Sequence, residues 1–238
     1  VGGMAVAFAT GALGWVHALG GLAVLGFWAF VYNMGRTLAA ARPWDVTERH
    51  FALALACFTV VPALGFALAM DYSTAVFAGT GLTRPGVVGA HATLAVFGAV
   101  LTTVLGALYQ LATMFTQTEL RGIGVYLARI EAVGYPAGVL ALAAGRLVGS
   151  APLARVGGLV LVVSLAGFAV VLARRLVETS VERTPMLTRY AVVAVALVAW
   201  AVDAGVAWLL WPVLVATMGV LAVGLFVLEA VLPAGANT

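Results

Sequence analysis

The chain has 238 residues, of which 64% are hydrophobic and only 9% carry a formal charge. Its mean hydropathy of +1.13 lies well above the range of soluble domains. The net charge of +3 comes from twelve arginines and nine acidic residues, with no lysine, and gives no reason to expect nucleic-acid binding. The composition therefore excludes a soluble enzyme and predicts a protein that lies in a lipid bilayer.

Seven apolar runs follow one another along the chain, and each is about long enough to cross a bilayer, which requires roughly 20 apolar residues. They cover residues 6–32, 51–71, 88–114, 132–149, 154–174, 190–211 and 213–232. The first run lacks the basic start and the cleavage motif of a signal peptide, so it is interpreted as a span. The connections are short, and we therefore predict an all-α bundle of about seven spanning helices, a single transmembrane domain over residues 1–238.

The arginines are distributed unevenly between the connections. The second and fourth connections and their flanks hold Arg84, Arg146 and Arg155. The first, third and fifth hold nine arginines, namely Arg36, Arg42, Arg49, Arg121, Arg129, Arg174, Arg175, Arg183 and Arg189. Because basic residues near helix ends tend to remain cytoplasmic, the odd connections are predicted to face the cytoplasm of a cell-membrane protein. Seven spans then place the N-terminus outside and the C-terminus inside.

Three histidines interrupt the apolar runs, and ionisable residues inside spans are costly and commonly functional. His17 lies in the outer half of the first run, and His91 lies a turn or two into the third, which runs in the same direction. Both are predicted toward the outer leaflet. His50 begins the second run beside Glu48 and Arg49, so we interpret it as a solvated helix start or a partner contact.

His17 and His91 are candidate axial ligands of a haem iron, since neutral imidazoles in an apolar bundle suit a low-spin electron-transfer centre. Small residues near both, Gly14 and Gly21 around His17 and Ala95 and Gly98 after His91, would leave room for a flat macrocycle. The competing interpretation is that the small residues serve helix packing and that both histidines are hydrogen-bonded packing residues.

Arginines on the predicted outer side could bind the haem propionates. Arg84 and Arg146 are the candidates, because a guanidinium offers two parallel donors that match a carboxylate. The alternative is that these side chains extend to lipid headgroups.

The stretch GAHATLAVFGAVLTTVLGALYQLATMFTQTEL, residues 89–120, resembles an early span of haem-copper oxidase subunit I and its divergent relatives. The segments RPWDVTERHFALAL, residues 42–55, and ERTPMLTRYAVV, residues 182–193, also resemble cytoplasmic connections of those relatives. In that family a histidine near the outer end of this span binds the low-spin haem, and the resemblance assigns this role to His91.

The chain departs from that family in two respects. A catalytic oxidase would need about twice as many histidines and roughly twelve spans, whereas no histidine follows His91 here. The usual oxygen-reducing site therefore cannot be built by this chain alone. The family's second ligand of the low-spin haem comes from a late helix without a counterpart here, so the pairing of His17 with His91 is an inference from helix geometry.

Intramembrane carboxylates give a second set of candidates, because they can relay protons or bind a quinone hydroxyl. Asp203 lies within the sixth run and Glu229 near the end of the seventh, while Glu131 and Arg146 bracket the fourth. Asp203 could instead hydrogen-bond a neighbouring tryptophan. Cys57, the only cysteine, is predicted to be a small core residue.

Two classes of function remain open. The first is a haem-b-binding subunit of a respiratory complex, passing electrons between quinone or an outer donor and a partner subunit. The second is a non-redox bundle, either an anchor or assembly subunit of such a complex or a small transporter. The absence of lysine excludes a retinal Schiff base, and no motif supports a hydrolase or ATPase.

Overall fold

The computed structural model describes residues 2–182 and 184–207, which are helical apart from short connections and contain no strand. A short helix, α1, covers Gly2–Ala9. Six long helices follow: α2 at Leu13–Ala40, α3 at Val46–Thr74, α4 at Arg84–Thr116, α5 at Ile123–Leu147, α6 at Ala151–Glu178 and α7 at Pro185–Ala207. All six are long and apolar enough to cross a bilayer, which indicates a membrane protein.

Six of the predicted spans correspond to these helices, but their bounds differ. The first predicted span, 6–32, is interrupted, because α1 ends at Ala9 and α2 begins at Leu13 and continues to Ala40. Gly11 lies in this break with a φ of 70°, a left-handed conformation that glycine adopts without steric cost. The fourth, predicted at 132–149, begins nine residues earlier at Ile123. The seventh, 213–232, lies outside the described residues.

The helix ends lie at two faces. The connections 41–45, 117–122 and 179–184 lie at one face, which we call the arginine-rich face because the flanks of these connections carry most of the arginines. The connections 75–83 and 148–150 lie at the opposite face. Successive spans are therefore antiparallel neighbours joined by short segments.

Helix α3 begins at a capping box. The Asp45 carboxylate accepts hydrogen bonds from the backbone N–H groups of Thr47 and Glu48, at 2.6 and 3.3 Å, and the Glu48 side chain accepts from the Asp45 N–H at 3.0 Å. Partial burial acts to raise the pKa of the Asp45 carboxyl, but its hydrogen bonds with Glu48 and Thr47 together outweigh that effect and hold the pKa below its usual value. The ionised form of Asp45 is therefore the one that caps the helix.

Replacing Asp45 by alanine is expected to lower the free energy of unfolding by about 1 kcal/mol, as for other N-cap deletions. Asp45→Asn keeps an acceptor oxygen and is the matched control. The contribution of the wild-type carboxylate should be present above its unfolded pKa and should be lost as the pH falls through the lower folded value. Unfolding in mixed micelles, followed by circular dichroism as a function of pH, measures both effects. Equal losses in the alanine and asparagine variants would contradict the capping role.

Helices α5 and α6 pack backbone to backbone, and glycines permit the approach. A Cβ added to Gly138 would lie 2.7 Å from the Leu161 backbone nitrogen. Gly145 and Gly157 face the backbones of Ala154 and Leu142 in the same way. Small residues at such positions let membrane helices approach until their backbones touch, so this pair forms the rigid centre of the bundle.

Helix α4 packs against α3, α5 and α6, and α7 covers its remaining side through the ring pairs Phe97–Trp200 and Phe115–Tyr190. Helix α2 is peripheral, since among the helices up to Glu178 it packs only against α1 and α3. This arrangement leaves a space between α2 and α4 that is bordered by α3.

Helix α4 contains a π-helical segment at Leu94–Leu101 between two α-helical parts. The Phe97 carbonyl in this segment accepts hydrogen bonds from Thr102 Oγ1 at 2.8 Å and from Tyr135 Oη at 2.6 Å. Gly98 in the same segment lies against Cys57, which is buried as predicted. Such segments are rare and often occur beside functional sites.

Candidate functional site

His91 lies on α4, three residues before the π-helical segment. Its Nδ1 is 3.1 Å from the Val61 carbonyl oxygen of α3, and a carbonyl only accepts, so Nδ1 carries the hydrogen. Its Cε1 edge lies against Gly65, where an added Cβ would be 3.1 Å away. Nε2 has no hydrogen-bond partner among the described residues and keeps its lone pair, as in an imidazole that binds a metal through Nε2.

His91 lines a cavity of about 410 Å³ between α2 and α4. The wall is made of small and aromatic residues, including Gly20, Ala23, Phe27, Phe58, Gly65, Phe66, Ala95 and Ala99. Among all the residues that line the cavity, only His91 and Met4 carry a side-chain atom able to bind a metal ion. Met4 belongs to α1 and was not predicted, because nothing in the sequence indicates that α1 folds back against α2.

His17 lies at the other end of this region. Its Nε2 is 2.7 Å from Ser73 Oγ, near the end of α3. Ser73 and Val61, the partners of the two histidines, are twelve residues apart on one helix, or about 18 Å along its axis. The structure therefore does not bring His17 and His91 together as ligands of one iron.

Arg84 and Arg146 have protein partners. Arg84 donates to Asp71 Oδ2 at 2.9 Å and to the Leu68 carbonyl at 3.0 Å, and its guanidinium lies 3.9 Å from the centre of the Tyr72 ring. Neither Arg84 nor Arg146 lines the His91 cavity.

The Arg146 side chain packs against Gly89 and donates from Nη1 to Thr93 Oγ1 at 2.7 Å. Thr93 in turn donates to the Gly89 carbonyl. Arg146 therefore joins α5 to α4 near the opposite face.

The interpretation of His50 as a solvated helix start is wrong. His50 is only 5% exposed, and its Nε2 lies 2.9 Å from Oε1 of Glu131, which is 1% exposed. Tyr109 Oη donates to the second oxygen of Glu131 at 3.2 Å. These three residues, from α3, α5 and α4, form a buried network that we call the Glu131 network. The available sequence signal was helical spacing: His50 shares one side of α3 with Thr47, Ala54 and Cys57, and the structure buries all four.

Arg175, in the last turn of α6, is buried near Tyr109 of this network. Its Nη1 donates to Thr113 Oγ1 at 2.6 Å, one turn after Tyr109 on α4. Its Nε is buried without an acceptor among the described residues. No described carboxylate forms a salt bridge with this guanidinium. Its positive charge is therefore not paired next to Tyr109.

The remaining candidates do not join either site. Asp203 is exposed on α7, and Glu229 lies outside the described residues. Within residues 2–182 and 184–207, no three histidine, cysteine or acidic side chains converge as metal ligands.

No family model, curated protein or solved structure matches this chain. The functional argument therefore depends on the His91 cavity and the Glu131 network themselves.

Proposed function

We propose that the chain is a haem-binding membrane subunit that transfers electrons, with His91 as the iron ligand. The observation that supports this most strongly is His91 itself. The Val61 carbonyl fixes its Nδ1–H, Nε2 has no partner among the described residues, and the ring borders an apolar cavity lined mainly by glycine, alanine, valine and phenylalanine. A buried haem would supply one-electron transfer within the bilayer.

The residues of the cavity fit a flat apolar group in several respects. Gly65 leaves the imidazole edge free, since a side chain there would contact the ring. The facing helices contribute small side chains to the cavity, namely Ala95 and Ala99 on α4 and Gly20 and Ala23 on α2. Met4, which lines the same cavity, would supply a thioether as a further ligand in place of His17, and a histidine–methionine pair would raise the reduction potential relative to two histidines.

A second cavity provides a candidate quinone site. It measures about 510 Å³, lies between α2, α3 and α4 toward the arginine-rich face, and shares Phe58 and Val100 with the His91 cavity. Its walls are apolar apart from Thr37, Glu48 and Thr103. We place a quinone here as electron donor or acceptor, with the arginine-rich face in the cytoplasm of the cell and a partner subunit of a respiratory complex as the other carrier.

A non-redox role as an anchor or assembly subunit, or as a small transporter, is the second candidate. It is favoured by the partners of the predicted ligands, because His17, Arg84 and Arg146 all bond to protein groups as packing residues do. Under that role the purified protein would be colourless.

Optical spectra of the purified protein, oxidised and dithionite-reduced, test the proposal. The wild type should show a Soret band and a reduced α band, and His91→Ala should lose both. Met4→Leu should retain the Soret band but change from a low-spin to a high-spin spectrum. His17→Ala, the matched control, should resemble the wild type, because His17 lies at the other end of α3. A folded but colourless wild type would contradict the haem proposal.

A further inference from the structure

The distances within the Glu131 network show how many hydrogens His50 and Glu131 share. His50 Nδ1 lies 2.7 Å from the Val46 carbonyl oxygen, which only accepts, so Nδ1 carries a hydrogen. Nε2 and Glu131 Oε1, 2.9 Å apart, then require one further hydrogen between them. That proton lies either on Nε2, giving imidazolium and carboxylate, or on Oε1, giving imidazole and carboxylic acid. The pair is electrically neutral in both arrangements.

Arg175 makes a second protonation state accessible. With the shared proton bound, the pair is neutral and the cluster of His50, Glu131 and Arg175 carries one positive charge. When the proton leaves, Glu131 is a carboxylate that retains the Tyr109 hydrogen bond, and the cluster is neutral. Charge is expensive in a bilayer, so the nearby guanidinium lowers the cost of the second state.

Several hydroxyl groups lie between the network and the arginine-rich face. Thr113 and Thr116 follow Tyr109 on α4, the Thr116 hydroxyl lies 2.6 Å from that of Thr118 in connection 117–122, and Thr179 donates to the Thr116 carbonyl. Toward the opposite face, Tyr135 bonds the Phe97 carbonyl, and the buried residues after it on α5 are apolar, namely Val139, Leu142 and Ala143.

We propose that His50 and Glu131 form a membrane-embedded proton-binding site that exchanges one proton with water at the arginine-rich face. The proton is taken up by water at that face, the side on which the hydroxyl groups of Thr113 and Thr116 lie. Its departure leaves two acceptors, Nε2 and Oε1, facing each other, so the contact between α3 and α5 opens. The site is independent of the haem proposal.

The groups that face the pair come from every neighbouring helix. Tyr109 lies on α4, Tyr135 on α5 and Arg175 on α6, while Cys57 is on α3 beyond His50. Glu178, three residues after Arg175, accepts a hydrogen bond from Arg174 at 2.7 Å and lies at the surface. Among the described residues, Arg175 is the cation that interacts with Tyr109, the third member of the network.

Glu131→Gln is the decisive variant. A glutamine amide can donate to Nε2 of neutral His50, and its oxygen can accept from Tyr109, so all the hydrogen bonds of the network are kept without an exchangeable proton. Nitrogen NMR of the full chain, labelled with ¹⁵N-histidine in lipid vesicles, reports the protonation of each ring across pH. The His50 signal is assigned by its absence in His50→Asn. Glu119→Gln, at an exposed carboxylate, is the matched control.

In the wild type and Glu119→Gln, the His50 Nε2 signal should shift as the pH rises, because Nε2 loses either its own proton or the hydrogen bond that it accepts from protonated Glu131. In Glu131→Gln it should stay unprotonated throughout. In Arg175→Met the transition should move to higher pH by about one unit or more, because the charge that favours release is gone. A wild-type signal that does not titrate, or one that titrates identically in Glu131→Gln, would overturn the proposal.

Discussion

Replacing Gly157 by alanine is expected to lower the free energy of unfolding by about 3 kcal/mol or more, an unusually large effect for one methyl group. The added Cβ would lie 2.7 Å from the Ala141 carbonyl carbon and still closer to the Leu142 nitrogen. Both are backbone atoms of α5, so no side chain can rotate to make room. The two helices would have to separate along their shared interface.

Gly167→Ala is the matched control on the same helix. A Cβ there would meet only the end of the Leu127 side chain, at 3.9 Å. Because alanine favours a helix over glycine by about 1 kcal/mol, this variant should be unchanged or more stable. Unfolding of both variants in mixed micelles, followed by circular dichroism, measures the difference. Similar stabilities for the two variants would show that α5 and α6 are not packed backbone to backbone.

Replacing Glu131 by alanine is expected to cost about 3–5 kcal/mol, the range for removal of one partner of a buried ion pair. His50 Nε2 and Tyr109 Oη would both lose their partner at sites that water does not reach. The variant would also leave a cavity where three helices meet.

Glu131→Gln separates the hydrogen bonds from the carboxylate. Since the amide can satisfy both neighbours, its loss of stability should stay within about 1.5 kcal/mol. The two variants are compared by urea or SDS unfolding of the reconstituted protein at neutral pH. If alanine and glutamine destabilise equally, the hydrogen bonds to His50 and Tyr109 do not hold the three helices together.

The long helices were predictable because crossing a bilayer imposes an apolar run of fixed length. Six runs therefore located six described helices, with errors at the ends. The break at Gly11 was missed because the residues on both sides of it are apolar, so hydropathy does not change there. Likewise, the extension of α2 to Ala40 passes through Asn33 and Arg36, polar residues near the arginine-rich face that a hydropathy window treats as a boundary.

The sites were less predictable, because their partners are distant in sequence. His50 and Glu131 are 81 positions apart, and only the packing of α3 against α5 brings them together. His50 also follows Glu48 and Arg49. Their charges suggest that this turn of the helix is exposed to solvent, although the two side chains lie on other sides of the helix than His50. The partner of His91 is a backbone carbonyl, which no side-chain pattern reveals.

The π-helical segment of α4 fixes an angle as well as a hydrogen-bond pattern. One additional residue in a turn rotates everything after it by about 100° about the helix axis. His91 lies before the segment and Tyr109 after it, so the segment determines how the cavity and the Glu131 network are oriented relative to each other. A straight α-helix of the same sequence could direct one of these side chains to its partner only by turning the other away. The two sites thus depend on a single offset in helical phase, although they share no side chain.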